Sequence, residues 1–266
     1  MQFRLINKKL GVKSISIFSE FSYPENIKDI CYIKDIGFLC LCDNSIIKVT
    51  DQECNQVISI DNPMSICKGS EGHVYVSYQN GIRDFNYLDG YYHSELFGNE
   101  ELENIYKPLK KIGVSGIYVH ALGNTVGLSI SPLNKVYVIR KGSVYKQYGS
   151  GLPTYGLSSS MQLNSFYNPC GVLMYNESTV FVSDTMNGCI RSLGDSHRII
   201  VGNPLAPTIY PTKLLISNKK DILYYLSKNY LRSVTVSDSK DAMLYENEHI
   251  LSMSMVDDKI YVLEGI

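Results

Sequence analysis

The cysteines and histidines are the residues of this chain whose side chains most readily bind metals or act as nucleophiles. Cys40 and Cys42 lie two residues apart, which places both side chains on one face of a strand, and Cys31 is near enough in sequence to approach from a neighbouring strand. Apolar residues flank Cys31 and Cys40 on both sides, and a free cysteine in such a setting packs as a small hydrophobe. The chain has no C-x-x-C, H-x-H or H-E-x-x-H pattern. We therefore predict buried structural thiols, no metal site and no cofactor.

Nucleophilic serine chemistry and phosphate binding have no support in the motifs either. The G-x-S-x-G pattern of a nucleophile elbow is absent. The glycine-rich segment 149–153 lacks the G-x-x-x-x-G-K-S/T form of a phosphate-binding loop. We predict no catalytic residue, and a non-enzymatic role over an enzymatic one.

Composition limits the class of protein. The chain has 266 residues, 44% of them hydrophobic, with 25 basic and 26 acidic side chains and a formal net charge of −1. This composition excludes a disordered chain and gives no overall attraction to RNA or anionic lipid. No apolar stretch is long enough for a transmembrane helix, and the N-terminal residues do not resemble a signal peptide. We predict an intracellular, cytoplasmic protein without a membrane span.

A short pattern of apolar and aromatic residues recurs along the chain and supplies the elements that would position any site. Each copy has a β-branched or leucine residue, then an aromatic residue in all copies but the first, then another apolar residue. We call the first residue of each copy its anchor, and the anchors are Leu39, Val74, Val136, Val180, Leu223 and Ile260. Residues of these types in this order are typical of buried β-strands.

The anchors lie 35 to 62 residues apart, with a mean of about 44 around the chain, which is close to the period of a propeller blade with four short strands. We predict an all-β, six-bladed β-propeller that forms a single domain. Too few residues follow Ile260 to complete a blade, so we expect strands near the N-terminus to close the last one. The predicted blades are about 23–60, 61–113, 114–164, 165–206, 207–245, and 246–266 together with 1–22.

One unit resembles a known family. It reads N-P-C-G-V at 168–172, S-D-T-M-N at 183–187 and then Ile190-Arg191, with Cys189 where arginine is usual. This resembles the NHL repeat, and the likeness is specific over this unit and weak elsewhere. The resemblance implies an NHL-type six-bladed propeller and leaves the function open, because propellers include binding proteins and several enzymes. We expect Asp184 and Asn187 in this unit to cap backbone groups of the hairpin.

Basic residues recur in the predicted third strands, each after an apolar residue. They are Arg4, Lys48, Arg83, Arg191 and Arg232. A ring of such side chains would bind an acidic protein surface or RNA, and we take Lys48, Arg83, Arg191 and Arg232 as candidate partner-binding residues. The alternative is that these long side chains cover apolar surface between blades and pair with nearby acids.

The second unit is longer than the others, and the excess lies at about 95–112. An insertion on one face of a propeller is a natural docking site for a protein partner, so Glu101 and Tyr106 join the candidate partner-binding residues. The alternative is a surface loop without a role.

The central channel of the predicted propeller is the place to look for an enzyme. The inner strands should begin about nine residues before each anchor, near Asp29, Ser65, Gly127, Gly171, Lys213 and Ser252. Calcium-dependent propeller hydrolases need several oxygen ligands there, and this set has one acid. We instead expect Asp29 and Lys213 to line the channel and to pair across it or lie at its mouth.

The sequence thus predicts a protein-interaction or scaffold module that binds a protein partner through one propeller face. An enzyme that uses the central channel, as a metal-dependent hydrolase or lyase, is the first alternative. An RNA-binding propeller with a basic face is the second. The oligomeric state stays open.

Overall fold

The computed structural model describes residues 1–9, 15–68, 73–78, 81–86, 91–93, 116–119, 125–130, 135–140, 143–149, 165–176, 178–194, 197–257 and 259–266. The strands in these ranges are β1 (Gln2–Lys9), β2 (Ile15–Ser22), β3 (Ile27–Ile33), β4 (Gly37–Cys42), β5 (Ser45–Val49), β6 (Cys54–Ser59), β7 (Pro63–Lys68), β8 (His73–Tyr78), β9 (Gly81–Asn86), β10 (Tyr91–His93), β11 (Gly116–Val119), β12 (Thr125–Ile130), β13 (Lys135–Arg140), β14 (Ser143–Tyr148), β15 (Pro169–Met174), β16 (Val180–Asp184), β17 (Cys189–Leu193), β18 (Arg198–Gly202), β19 (Pro211–Ile216), β20 (Ile222–Ser227), β21 (Tyr230–Thr235), β22 (Asp241–Glu246), β23 (Ile250–Val256) and β24 (Lys259–Gly265). One 3-10 turn, Thr185–Asn187, lies between β16 and β17. Within the described ranges, no helix has the length and apolarity needed to cross a bilayer.

These strands form six four-stranded antiparallel sheets in the described part of the chain. Five sheets are meanders of consecutive strands: β3–β6, β7–β10, β11–β14, β15–β18 and β19–β22. The sixth has the order β2-β1-β24-β23, and in it Phe3 lies opposite Gly265 and Lys9 lies opposite Lys259. Strands from both ends of the chain therefore belong to one sheet.

The repeated apolar columns are buried, as the sequence predicts. Every anchor is at most 1% exposed, and the two residues that follow each anchor are at most 8% exposed. The core residues group into clusters that each join two neighbouring sheets. One, for example, packs Leu39 and Leu41 of β4 against Ile66 of β7 and Val74 of β8. Among the described residues, the apolar core thus lies between neighbouring sheets.

One edge strand of each sheet lies at a common centre, and these central strands are β3, β7, β11, β15, β19 and β23. β3 packs on β7 and on β23, β11 packs on β7 and on β15, and β19 contacts β15 and β23. In five sheets the anchor lies on the strand next to this central strand, namely β4, β8, β16, β20 and β24.

The sheet β11–β14 differs from the sequence prediction. Its anchor Val136 lies on β13, the third strand counted from the centre, because β11 is the central strand of this sheet. Gly127, which was expected on an inner strand, consequently lies on β12. A Cβ added at Gly127 would come 2.9 Å from a methyl carbon of Val172, so this glycine allows β12 to approach β15 closely.

Candidate functional site

A bulge near the start of five central strands sets the direction of the side chains that face the centre. In β3, β7 and β23 the register shifts immediately before the third residue of the strand, and β15 and β19 carry a register shift over their second and third residues. A β-bulge bends its strand and re-aims the side chains beside it. The third residues of these strands are Asp29, Ser65, Gly171, Lys213 and Ser252.

Asp29 is the centre of a hydrogen-bond network with three of these residues. Its Oδ1 accepts hydrogen bonds from the Ile30 amide at 2.9 Å and from Ser252 Oγ at 2.6 Å, and it pairs with Lys213 Nζ. Its Oδ2 accepts from Ser65 Oγ and from the Ile66 amide, both at 3.0 Å. We call Asp29, Ser65, Lys213 and Ser252 the central network, and it connects β3, β7, β19 and β23.

Lys213 completes the central network with its ammonium group. Beside the Asp29 carboxylate, Nζ donates to the Ile30 carbonyl oxygen at 2.8 Å and to Ser252 Oγ at 3.2 Å. An ammonium has three N–H donors, and these contacts use all of them. The structure therefore brings Asp29 and Lys213 into direct contact across the central strands.

Gly171 stands at the equivalent position of β15, where no side chain fits. A Cβ added there would lie 1.9 Å from the Thr212 carbonyl oxygen of β19 and 2.8 Å from Ser183 Oγ. That space is used by a hydrogen bond, because Ser183 Oγ donates to the same Thr212 oxygen at 2.8 Å. A small residue at this point lets two neighbouring sheets come together at the centre.

A cavity of about 480 Å³ lies against these central strands. Its wall includes the whole central network and the apolar side chains Ile66, Val172, Leu214 and Met253. The volume and the mixture of apolar walls with a few polar groups are typical of a small-molecule site.

The geometry limits the chemistry that the central network can perform. Ser252 and Lys213 have the types of a serine–lysine nucleophilic pair, in which a neutral lysine takes the serine proton. Here Lys213 donates to Ser252 and pairs with Asp29, and Ser252 directs its own proton to Asp29. The amine is thus engaged as a donor, and the arrangement joins strands instead of activating a nucleophile.

Metal binding has no visible cluster of ligands. Among the described residues, no three His, Cys, Asp or Glu side chains are grouped closely enough to hold an ion.

Three solved structures have folds similar to this chain. A catalytically inactive variant of virginiamycin B lyase from Staphylococcus aureus, solved with quinupristin, is 14% identical, with 99% of this chain and 100% of that chain covered and a TM-score of 0.61. A chain of a nidogen–laminin complex is 13% identical, with 90% and 91% covered and a TM-score of 0.59. A streptogramin B lyase is 12% identical, with 99% and 98% covered and a TM-score of 0.57. This chain has a β-propeller fold.

At these identities the likeness shows the propeller fold and nothing of the function, since one fold hosts many activities. The neighbours include both lyases and a protein from a protein–protein complex. No protein-family model matches the sequence, and a search of curated protein sequences finds no relative.

Arg191 lies in the core of the propeller and is not available to a partner. Its side chain is fully buried, pairs with the equally buried Asp184, and lies over the Phe166 ring with the guanidinium carbon 5.2 Å from the ring centroid. The expectation that Arg191 contacts a partner is therefore wrong. The apolar residue before it and the acid seven residues earlier were the sequence features that favoured internal pairing.

Asp184 also acts differently from the expected hairpin cap. It accepts hydrogen bonds from the Tyr167 amide at 2.8 Å and from Asn187 Nδ2 at 2.9 Å, and its side chain does not cap the 3-10 turn that follows. Burial raises the pKa of the Asp184 carboxyl, while Arg191, the Tyr167 amide and Asn187 act to lower it. The carboxylate thus connects the lead-in to β15 with β17, inside one sheet.

Lys48 and Arg232 pair with acids close to them in the chain. Lys48 Nζ lies 3.2 Å from Glu53, and the Arg232 guanidinium contacts Asp241 Oδ2 at 2.6 Å. Asp241 also accepts a hydrogen bond from the Tyr225 hydroxyl at 2.9 Å. Burial raises the pKa of Tyr225, and the neighbouring Asp241 carboxylate adds to that increase. These pairs are the local alternative that the sequence left open.

The basic residues of the third strands do not stand at one height of the sheets. Arg83, Arg191 and Arg232 lie opposite the second residue after the anchor, namely Val76, Val182 and Tyr225. Lys48 lies opposite the anchor Leu39 itself, and Arg4 lies opposite Glu264, with which it forms a salt bridge at 3.0 Å. Sequence spacing aligned these residues in one column, and the strand register separates them.

Several sequence predictions fall outside the described part of the chain. Glu101, Tyr106 and the rest of the segment 95–112 are not described. The backbone of Arg83 lies on β9, and its side chain is outside the described part of the structure.

The predicted structural thiols are confirmed for Cys31, Cys40 and Cys42, which are at most 5% exposed. Burial raises the pKa of Cys31 to about 12 and that of Cys42 to about 12. Such thiols remain protonated at neutral pH and are poor nucleophiles.

Sequence analysis missed the lysines of the cavity wall. Lys28, Lys68 and Lys220 line the cavity together with Lys213. Lys28 is the second residue of β3, Lys68 is the last residue of β7, and Lys220 lies in the turn after β19, so only knowledge of the strand ends would have linked them.

Proposed function

We propose that this propeller is a non-catalytic interaction module that binds a protein partner through one of its faces. The observation that carries the proposal is the central network, in which Asp29 and Lys213 satisfy one another and join four central strands. This arrangement stabilises a rigid support for the loops between strands, and loops on a rigid scaffold are the usual place for recognition. A chain of a nidogen–laminin complex has a similar fold, so a propeller of this kind is compatible with a role in a protein–protein complex.

The architecture behind this proposal is a closed ring. We infer that each of the six sheets is one blade, with the boundaries predicted from the sequence, and that β1 and β2 complete the blade of β23 and β24. The repeat at 168–191 supports an NHL-type propeller. The seven cysteines are all free thiols in the structure, which favours an intracellular, cytoplasmic location.

The partner-binding residues of the proposal are Lys48, Arg83, Arg232, Glu101 and Tyr106. Lys48 and Arg232 keep about a quarter of their side-chain surface exposed, at 24% and 23%, so each reaches solvent beside its acidic neighbour. The insertion 95–112 supplies the remaining contacts.

An enzyme that works in the central cavity is the first alternative, and the two lyases among the structural neighbours favour it. The pairing of Lys213 with Asp29 weighs against it, because both groups are occupied by one another. RNA binding is the second alternative. The different heights of the third-strand basic residues and their acidic neighbours weigh against a continuous basic face.

The test is capture of a partner from native lysate by the immobilised protein, identification by mass spectrometry, and measurement of binding with the purified partner. Three proteins are compared: the wild type, the variant Glu101→Lys/Tyr106→Ala, and the control Glu248→Lys, which changes the charge of an exposed turn residue. We expect the double variant to weaken the purified interaction about tenfold or more and the control to leave it unchanged.

Two results would contradict the proposal. One is that the double variant captures the same proteins as the wild type and that none of these proteins binds when it is purified and tested directly. The other is a hydrolase or lyase activity of the purified protein that Asp29→Asn abolishes without unfolding the propeller.

A further inference from the structure

Among the described residues, the wall of the cavity at the centre of the propeller carries more positive than negative charges. The described wall contains four lysines, namely Lys28, Lys68, Lys213 and Lys220, and the single carboxylate Asp29. Asp29 is already paired with Lys213, and Lys28 lies 3.3 Å from Asp43. Lys68 and Lys220 are both exposed, so their positive charges remain at the cavity without a carboxylate in its described wall.

These two lysines lie at the end of the cavity opposite Asp29. The third residues of β3, β7, β19 and β23 meet in the central network, and further along Ser254 Oγ of β23 accepts a hydrogen bond from the Tyr32 amide of β3 at 3.0 Å. The central strands therefore run in one direction, and their last residues share one end of the cavity. Lys68 is the last residue of β7, and Lys220 follows the end of β19.

Lys220 is held in position by its surroundings. Its Nζ donates to the Tyr175 carbonyl oxygen at 2.8 Å and lies 6.0 Å from the centroid of the Tyr175 ring. These contacts use one of the three N–H donors and leave the others for a ligand.

The wall between the two ends is largely apolar. Ile66, Val172, Leu214 and Met253 line it, and the Cys31 thiol lies among them. Burial raises the pKa of Cys31 to about 12, while the nearby charges of Lys213 and Lys68 act to lower it.

We propose that this cavity binds a small organic anion, with an apolar body against the central strands and a carboxylate or phosphate ester at the end of the cavity where Lys68 and Lys220 lie. The cavity volume of about 480 Å³ accommodates such a molecule. Lysine ammonium groups beside a partly apolar wall favour an anion over a neutral molecule of the same shape. This proposal does not depend on the protein-binding role proposed above.

The probes are matched in shape and differ in charge. Isothermal titration calorimetry of the full chain compares naphthalene-2-carboxylate, 2-naphthyl phosphate, naphthalene-2-methanol and inorganic phosphate. We expect each organic anion to bind about tenfold or more tightly than the neutral alcohol, because a charge-assisted hydrogen bond is gained. We expect inorganic phosphate to bind more weakly than naphthyl phosphate, because it has no apolar body.

Two double variants each remove two positive charges. One removes them from the cavity wall, and the other, the control, removes them from outside the described wall. Lys68→Met/Lys220→Met removes both ammonium groups from the cavity, and Lys219→Met/Lys240→Met removes two from exposed turn positions outside its described wall. We expect the first variant to weaken binding of the carboxylate about tenfold and the second to change it less than about twofold. Circular dichroism and thermal unfolding verify that both variants remain folded.

Four outcomes would overturn the proposal. The alcohol binds as tightly as the carboxylate, the variant without Lys68 and Lys220 binds the carboxylate as the wild type does, or neither organic anion binds. Equal affinity for inorganic and naphthyl phosphate would refute an organic ligand. If the carboxylate binds best, the ligand is a carboxylic acid, and if naphthyl phosphate binds best, it is a phosphate ester.

Discussion

Two ion pairs of this propeller have similar chemistry and very different reach. Asp184 and Arg191 are both 0% exposed, stand seven residues apart and connect the strands of one sheet. Asp29 and Lys213 are 9% and 22% exposed, stand far apart in the chain and join the central strands of four sheets with the help of Ser65 and Ser252. One pair organises a blade, and the other organises the way in which blades meet.

The difference in burial and in the number of sheets joined predicts how much stability is lost when each ion pair is broken, and which strands are affected. A fully buried pair leaves a large uncompensated charge when one partner is removed, so its loss should be costly although its reach is local. The central pair keeps some contact with water, so its loss should cost less and spread further.

The largest effect is expected for Asp184→Ala. This change leaves the buried Arg191 guanidinium without its carboxylate and should lower the free energy of unfolding by about 3–5 kcal/mol. Urea denaturation followed by circular dichroism measures it. The double variant Asp184→Ala/Arg191→Met removes both charges and should regain part of the loss. A single variant as stable as the wild type would show that the pair is not desolvated in solution.

The second effect is expected for Asp29→Ala, which removes the acceptor of the central network. The loss should be about 1–3 kcal/mol, because Lys213 regains some hydration while the buried donors on Ser65, Ser252 and Ile66 lose their acceptor. Hydrogen exchange measures how far the loss of stability spreads from Asp29. Amides of β3, β7, β19 and β23 should all exchange faster, whereas Asp184→Ala should act mainly on β15 to β17. Faster exchange confined to β3 would contradict the role of Asp29 in joining blades.

The smallest effects are expected for Arg232→Met and Lys48→Met. Both side chains are partly exposed and pair with exposed or half-exposed acids, so each substitution should change the free energy of unfolding by less than about 1 kcal/mol. Thermal unfolding is sensitive enough to compare them with Asp184→Ala. A loss for Arg232→Met as large as that for Asp184→Ala would remove the distinction between buried and surface pairs.

Much of the fold was predictable because it repeats. Each anchor and the two residues after it form a short apolar run. These runs recur at about the period of a propeller blade, and all of their residues are buried in the structure. The third sheet departs from the prediction because β11 precedes the expected inner strand, and a single short strand of four residues leaves little pattern in the sequence. The basic column was visible as well, but its partners depended on register, which moved Lys48 and Arg4 away from the other three.

The candidate site was predictable only as a set of positions. Counting back from the anchors gave Asp29, Ser65, Gly171, Lys213 and Ser252, because each central strand precedes its anchor strand by a short hairpin. The counting did not give the bulges that turn these side chains inward, since a bulge depends on the register of a pair of strands.

The sequence by itself determined the all-β class, the repeating strands and the buried columns. These features depend on residues within one repeat, where side-chain alternation and short hairpins decide the outcome. The tertiary structure alone decided that Asp29 meets Lys213 and Ser252, and that four lysines surround one cavity. Those residues belong to different repeats, and only the arrangement of the blades around a centre brings them together.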